Sequence, residues 1–203
     1  AWRVHAVEPD GNFRWTFDTA AHSVTGLATG DLNGDGRDET AVATVYFCVP
    51  AISADGERLW QDEDYNDYWT AGPTFPFVRI ADVDLDGSPE VITAGSDTLV
   101  HCIDSLGEKM WTRSIGDDPM GLEIVKQGIA AASLTGTLHL IDGLGAEVWR
   151  LDLDAPCRAL ASAGELLCIV DEQGLLVWVD AAGSPVRSLQ LRSAACALLG
   201  RPD

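Results

Sequence analysis

Lysine is nearly missing from this 203-residue chain. Only Lys109 and Lys126 occur, and 13 basic residues face 32 acidic ones, for a formal net charge of −19. A surface so poor in positive charge is not expected to hold nucleic acid or an anionic membrane through its bulk field. No apolar run approaches the roughly 18 residues a spanning helix needs, so direct membrane insertion is not expected either. Ala1-Trp2-Arg3-Val4-His5 contains neither a methionine nor an apolar signal core, which reads as a processed terminus or as a piece of a longer chain. Cysteine is sparse and odd in number: Cys48, Cys102, Cys157, Cys168 and Cys196, with no Cys-x-x-Cys, which excludes a complete disulfide framework. Cys48, Cys102 and Cys168 fall in apolar stretches and read as small buried hydrophobes, while Cys157 and Cys196 occupy matching repeat slots. Also missing are a Gly-x-Ser-x-Gly nucleophile turn, a phosphate-binding glycine loop and a zinc-type His/Cys cluster. No long stretch shows a 3.6-residue apolar period, so helices should be nearly absent.

What the chain does have is a repeat. A glycine is followed four residues later by tryptophan at Gly11/Trp15, Gly56/Trp60, Gly107/Trp111 and Gly145/Trp149; a fifth copy, Gly183/Arg187, has lost its tryptophan. Successive tryptophans lie 45, 51 and 38 residues apart, and Arg187 follows after another 38. Before each glycine stands a short apolar run closed by a turn residue, as in Leu99-Val100-His101-Cys102-Ile103-Asp104 and Leu138-His139-Leu140-Ile141-Asp142. Each unit therefore reads as a strand, a glycine turn and a second strand carrying the tryptophan. Two further strands fit in each interval; for the third repeat they give Val78–Ala81, Glu90–Ala94, Thr98–Ile103 and Lys109–Thr112.

Four antiparallel strands every 38 to 51 residues is the arithmetic of a β-propeller blade. The expected fold is all-β, a propeller of about five repeats. Blades run over residues 20–62, 76–114, 119–152 and 156–190, with partial blades at 1–19 and 194–203. The tryptophans should wedge between blades, because a lone blade cannot bury both its faces. The terminal strands, Arg3–Glu8 and Phe13–Phe17 at one end and Cys196–Leu199 at the other, either form a composite fifth blade or leave an open arc. An open blade edge would favour association.

Two loops carry the chemistry. Asp31-Leu32-Asn33-Gly34-Asp35-Gly36-Arg37-Asp38-Glu39 and Asp82-Val83-Asp84-Leu85-Asp86-Gly87-Ser88-Pro89-Glu90 both place side-chain oxygens at positions 1, 3, 5 and 9 and glycine at 6. Alternate oxygens can converge on one point while the glycine allows a sharp turn, and the result is a hard-oxygen cage suited to Ca²⁺. An EF-hand would need glutamate at position 12, where this chain has Val42 and Thr93, and the loops run into apparent strands rather than helices.

These loops resemble the FG-GAP or VCBS-type repeat of integrin-α-like and bacterial propellers, in which an Asp-rich loop joins the first two strands of a blade. The resemblance implies one Ca²⁺ held by Asp31, Asn33, Asp35, Glu39 and the Arg37 carbonyl. It implies a second held by Asp82, Asp84, Asp86, Glu90 and the Ser88 carbonyl. Glutamate at the ninth position, where the family often has aspartate, is a departure that bears on denticity. The later blades have short turns at Val125–Gly128 and Ser162–Gly164 in place of the loop, and resemble PQQ-like repeats.

His5, His101 and His139 each stand ten residues before a tryptophan, or before Trp15 in the first case, and are expected to be packed or hydrogen-bonded rather than to gather on a metal. His22 precedes the first loop without an evident partner. The longest loop, Gln61–Pro73, mixes acids, Asn, Tyr and Trp, residues able to recognise sugars or peptides. The expected function is a non-catalytic, calcium-binding propeller that serves recognition, adhesion or scaffolding. It would belong to a larger extracellular, periplasmic or cell-surface assembly, with a protein or carbohydrate ligand. The alternative is part of a propeller enzyme, a quinoprotein-type dehydrogenase or a polysaccharide lyase.

Overall fold

The computed structural model describes residues 2–20, 22–45, 48–63, 74 and 76–192. Eighteen β-strands make up the regular structure, with no helix among the described residues. The strands group into one two-stranded and four four-stranded sheets, each joined in chain order. The first sheet pairs β1 (Arg3–Val7) with β2 (Phe13–Asp18). The second contains β3 (Val24–Gly30), β4 (Glu39–Thr44), β5 (Cys48–Ile52) and β6 (Arg58–Glu63). The third contains β7 (Phe77–Ala81), β8 (Glu90–Ala94), β9 (Leu99–Ile103) and β10 (Lys109–Ser114). The fourth runs through β11 (Pro119–Val125), β12 (Gly128–Ser133), β13 (Thr137–Ile141) and β14 (Glu147–Asp152). The fifth runs through β15 (Cys157–Ala163), β16 (Leu166–Asp171), β17 (Leu175–Val179) and β18 (Pro185–Gln190). The strands expected for the third repeat and the N-terminal pair are all found within two residues of their ends. Cys196–Leu199, most of the Gln61–Pro73 loop and Cys196 itself lie outside the described residues.

Two compact units account for the chain: Ala1–Asp82 with Asp86–Asp97 and His101–Met110, and Val83–Leu85 with Thr98–Val100 and Trp111–Asp203. The first unit has a core of Leu32, Ala41, Ala43, Val49, Ala51, Val78, Val91 and Ile103, and the second one of Ala130, Ala132, Leu138, Cys157, Leu160, Leu167, Ile169, Val177 and Val179. Strand position explains the composition. The second strands β4, β8 and β12 are buried on both faces and consist almost wholly of small or β-branched residues. The tryptophan-bearing strands β2, β10 and β14 alternate between exposed and partly buried residues, with the tryptophan on the partly buried side. β18, which has Arg187 in the tryptophan slot, is exposed along its whole length.

The glycine turns share one geometry. In each, the first residue's N–H donates to the carbonyl four residues on, and the glycine N–H donates back to the first residue's carbonyl. This holds for Glu8–Asn12, Ser53–Glu57, Asp104–Glu108, Asp142–Ala146 and Asp180–Ser184. The glycines sit at φ between +79° and +90°, which only glycine adopts without strain. In the four turns whose strand pairing is described the register slips by one residue beside the turn, as a glycine bulge requires.

These turns also receive the tryptophans, and each tryptophan reaches the following repeat's turn rather than its own. The indole N–H of Trp15 donates to Ala54 O at 3.1 Å, Trp60 to Ser105 O at 3.0 Å, Trp111 to Gly143 O at 2.9 Å and Trp149 to Ala181 O at 3.0 Å. The tryptophan side chain packs against the turn glycine, so that a Cβ at Gly56, Gly107, Gly145 or Gly183 would stand 2.7–2.8 Å from it. A half-buried indole contributes roughly 2–3 kcal/mol of burial, and its hydrogen bond about 1 kcal/mol more.

Candidate metal centre

Both Asp-rich loops connect the first and second strands of their sheets, between β3 and β4 and between β7 and β8. The first aspartate folds the loop around itself. Asp31 Oδ1 accepts the N–H groups of Gly34 (2.8 Å) and Asp35 (3.0 Å), and its Oδ2 accepts Gly36 N–H at 2.9 Å. In the second loop Asp82 Oδ2 likewise accepts Gly87 N–H at 3.0 Å. Position 5 repeats as well: Asp35 Oδ1 accepts Arg37 N–H at 2.8 Å and Asp86 Oδ1 accepts Ser88 N–H at 2.7 Å. The two loops share these hydrogen bonds from positions 1 and 5.

Position 4 shows how strongly this backbone is imposed. Gly34 holds it at φ +79° in the first loop, but the second has Leu85 at φ +65°, with its side chain 84% exposed. A left-handed leucine costs on the order of 1–2 kcal/mol. The loop's hydrogen bonds hold it there.

In the second loop the carboxylates of Asp82, Asp84 and Asp86 approach within 4.8 Å of one another. Repulsion at that spacing is about 1 kcal/mol per pair in bulk water and about 3.5 kcal/mol at an effective dielectric near 20. Asp82 Oδ1 is shut off from solvent with no hydrogen-bond donor, and a bare buried carboxylate oxygen is costly unless a cation answers it. The donor set is all hard oxygen and fits Ca²⁺. Glu90, at position 9, is buried at the start of β8.

The first loop is arranged differently. Among the described residues, Asp31, Asp35 and Glu39 do not form a comparable three-carboxylate group. Glu39 is 1% exposed, and its Oε2 accepts N–H from Leu32 at 3.0 Å and Asn33 at 3.2 Å, while Oε1 is buried without a partner. Asn33 Oδ1 accepts Asp35 N–H at 2.9 Å. The Arg37 side chain leaves the loop and grips Asp55 with both terminal nitrogens, one at 2.8 Å and one at 2.5 Å. That hydrogen bond, more than the charge, raises Arg37 above its ordinary range and holds the Asp55 carboxyl below its own. Asp55 belongs to the turn that receives Trp15, and nothing in the spacing of the loop announced this link.

The histidines are hydrogen-bonded. His5 Nδ1 meets Thr16 Oγ1 at 2.9 Å, His101 Nε2 meets Asp97 Oδ2 at 2.8 Å, and His139 Nδ1 meets Glu147 Oε2 at 2.8 Å. His22, without an evident partner in the sequence, meets Val45 O at 3.0 Å. Cys157 is fully buried, and burial, with a smaller contribution from Asp171, pushes its thiol up to about 12. No helix among the described residues is long and apolar enough to cross a membrane.

Comparison with solved structures settles the architecture. Sqt1 from Saccharomyces cerevisiae aligns at a TM-score of 0.80 with 11% identity, over 95% of this chain and 56% of that one. BBS1N in complex with ARL6DN gives 0.74 and 13%, over 97% and 64%. BamB from Moraxella catarrhalis gives 0.71 and 15%, over 98% and 61%. The fold is a β-propeller. At these identities the likeness is one of fold alone, and the chain spans less than two thirds of each of these proteins. No protein-family profile matches the chain. By sequence, lambda-carrageenases from Pseudoalteromonas carrageenovora and another Pseudoalteromonas are 30% identical over 99 residues, which is 48% of this chain but 10% of the enzymes.

Proposed function

We propose that this chain is a calcium-stabilised propeller module of the FG-GAP/VCBS type that serves recognition or scaffolding within a larger extracytoplasmic protein. The observation that carries this reading is the convergence of Asp82, Asp84 and Asp86 around a buried, donor-less Asp82 oxygen. When bound, Ca²⁺ would neutralise that cluster and tie β7 to β8; Asp82, Asp84, Asp86, Glu90 and the Ser88 carbonyl would hold it. Asp31, Asn33, Asp35, Glu39 and the Arg37 carbonyl would hold a second ion once Glu39 exchanged its backbone donors for metal. The partner is proposed to be a protein, as for the propeller neighbour crystallised as BBS1N with ARL6DN. The ion's abundance outside the cytoplasm favours an extracellular, periplasmic or cell-surface setting.

Ligand linkage gives the test. At a hundredfold excess over Kd, a single site adds about 2.7 kcal/mol, which for a domain of this size raises Tm by roughly 5–11 °C. Chelator should lower Tm, Ca²⁺ should restore it where Mg²⁺ does not, and Asp82→Asn should blunt the response. A melting curve unmoved by chelator and by added Ca²⁺ refutes the proposal.

The carrageenase match favours a second reading, in which the chain is a propeller segment of a polysaccharide-degrading enzyme. Release of reducing ends from carrageenan by the folded chain, or saturable binding of carrageenan to it, would support this reading; the absence of both activity and binding would remove it.

A further inference from the structure

We infer that Asn33 is a self-modifying residue, which the first Asp-rich loop converts through a cyclic imide with Gly34 into aspartate and isoaspartate. Three asparagines occur in the chain, and only Asn33 precedes a glycine; Asn12 precedes Phe13 and Asn66 precedes Asp67. The attacking atom is the backbone nitrogen of the following residue, so a side chain there crowds the reaction. Gly34 has none, and among the described residues a Cβ built on it would meet nothing within 4 Å. Asn33 and Gly34 are both exposed, which admits the water that completes the conversion.

The loop's hydrogen bonds suit the attack. Gly34 N–H donates to Asp31 Oδ1 at 2.8 Å, so a carboxylate oxygen stands ready for the proton that the nitrogen must lose. Asp35 N–H donates to Asn33 Oδ1 at 2.9 Å, and also reaches Asp31 Oδ1 at 3.0 Å. The first of these bonds polarises the Asn33 amide and supports the negative charge that gathers on its oxygen. Nucleophile and carbonyl belong to neighbouring residues, so the reaction is intramolecular. Gly34 N bonds to Asn33 Cγ, its proton passes by way of Asp31 to Nδ2, and the Cγ–Nδ2 bond breaks to release ammonia. Water then opens the imide. Cleavage between Gly34 N and Cγ leaves aspartate in the normal chain, and cleavage between Gly34 N and the Asn33 backbone carbonyl carbon leaves isoaspartate.

The second loop shows what the aspartate product supplies. Asp84 stands there at the position of Asn33, and the carboxylates of Asp82, Asp84 and Asp86 approach within 4.8 Å of one another. Aspartate at 33 gives the first loop acidic residues at positions 1, 3, 5 and 9, as the second already has. Resting on the calcium reading above, the converted loop should hold Ca²⁺ more tightly, because affinity in such cages follows ligand charge.

The test incubates the full chain in metal-free buffer at mildly alkaline pH and follows its peptides by mass spectrometry. Asn33 should take on the mass of an acid in place of an amide ahead of Asn12 and Asn66, with isoaspartate found at the same position. Gly34→Leu, which copies Leu85 of the second loop, should all but stop the conversion. Asp31→Asn keeps an acceptor for Gly34 N–H but removes the carboxylate, and should slow it by about tenfold or more. Asn33 left unconverted, or converted no faster than Asn12 or Asn66, overturns the site. An equal or faster conversion in Asp31→Asn overturns the role of Asp31, since losing a bond that merely restrained the loop would speed the reaction. Calorimetric titration with Ca²⁺ then compares Asn33→Asp with the fresh chain, both carrying Asp82→Asn to silence the second loop. Binding about tenfold tighter is expected, and equal affinity overturns the gain. Absence of Ca²⁺ binding in both overturns the calcium reading alone, because the conversion is read by mass without metal.

Discussion

Replacing Gly107 by alanine isolates the energy of a tryptophan lock, because Gly11 provides a built-in control. The two glycines have nearly the same backbone, φ +90° and +88°, so the left-handed strain of an alanine is equal in both, about 1 kcal/mol. Their surroundings differ. At Gly107 the new Cβ would stand 2.7 Å from Trp60 Cγ and 2.9 Å from its Cβ, the root of the side chain, which cannot swing aside as a flexible tip could. Trp60 must leave, losing its bond to Ser105 O (about 1 kcal/mol) and most of its roughly 2–3 kcal/mol of burial. Gly107→Ala should then cost about 3–4 kcal/mol or slightly more, and Gly11→Ala about 1 kcal/mol. At about 2–4 °C per kcal/mol, the expected falls in Tm are roughly 6–16 °C and 2–4 °C. Thermal unfolding followed by circular dichroism reads both. A second arm uses the Trp60→Ala background, where the clash is gone and Gly107→Ala should cost only the strain. Equal losses for Gly107→Ala and Gly11→Ala, or a full loss persisting without Trp60, would refute the reasoning.

Other outcomes follow from single groups. Cys157 is fully buried, with its thiol pushed up to about 12, so a thiol reagent at pH 8 should leave it unmodified in the native chain and label it in denaturant. Rapid native labelling at Cys157, mapped by mass spectrometry, would contradict this. The Glu147 carboxyl is held below its ordinary range, chiefly by the hydrogen bond from His139. Its stabilising contribution is therefore present above about pH 4.3 and lost as pH falls through the lower folded value. Glu147→Gln should shrink the difference from wild type in acid, and a difference constant from neutral pH into acid would argue against the pair. Arg37→Met should change Tm little, since exposed ion pairs contribute about 0–1 kcal/mol, and high salt should erase what change there is. A loss of several degrees that persists in salt would give the Arg37–Asp55 contact a larger role than its exposure allows.

The strand count, the sheet order and the glycine turns could be read from the sequence because each depends on neighbours within one repeat. Alternation, the apolar run before each turn and the fixed four-residue step from glycine to tryptophan are local signals, and antiparallel pairing in chain order carries them directly into sheets. The Asp-rich loops were legible for the same reason: their oxygens alternate along nine consecutive residues. That the tryptophans pack between repeats was legible too, but which turn receives each one was not. Gly107 precedes Trp111 in its own repeat, yet its face receives Trp60, and Gly56 likewise receives Trp15. No sequence period marks that exchange, because it is set by the packing of one sheet on the next. The same holds for Arg37, a loop residue tied to Asp55 in another hairpin, and for Glu39, which turned its Oε2 to the backbone N–H groups of Leu32 and Asn33. Leu85 makes the point in the backbone: its residue type disfavours a positive φ, yet it takes one in a loop fastened by Gly87 N–H to Asp82 and Ser88 N–H to Asp86. Local chemistry chose the elements, and contacts between elements, which have no fixed sequence separation, chose what each functional side chain touches.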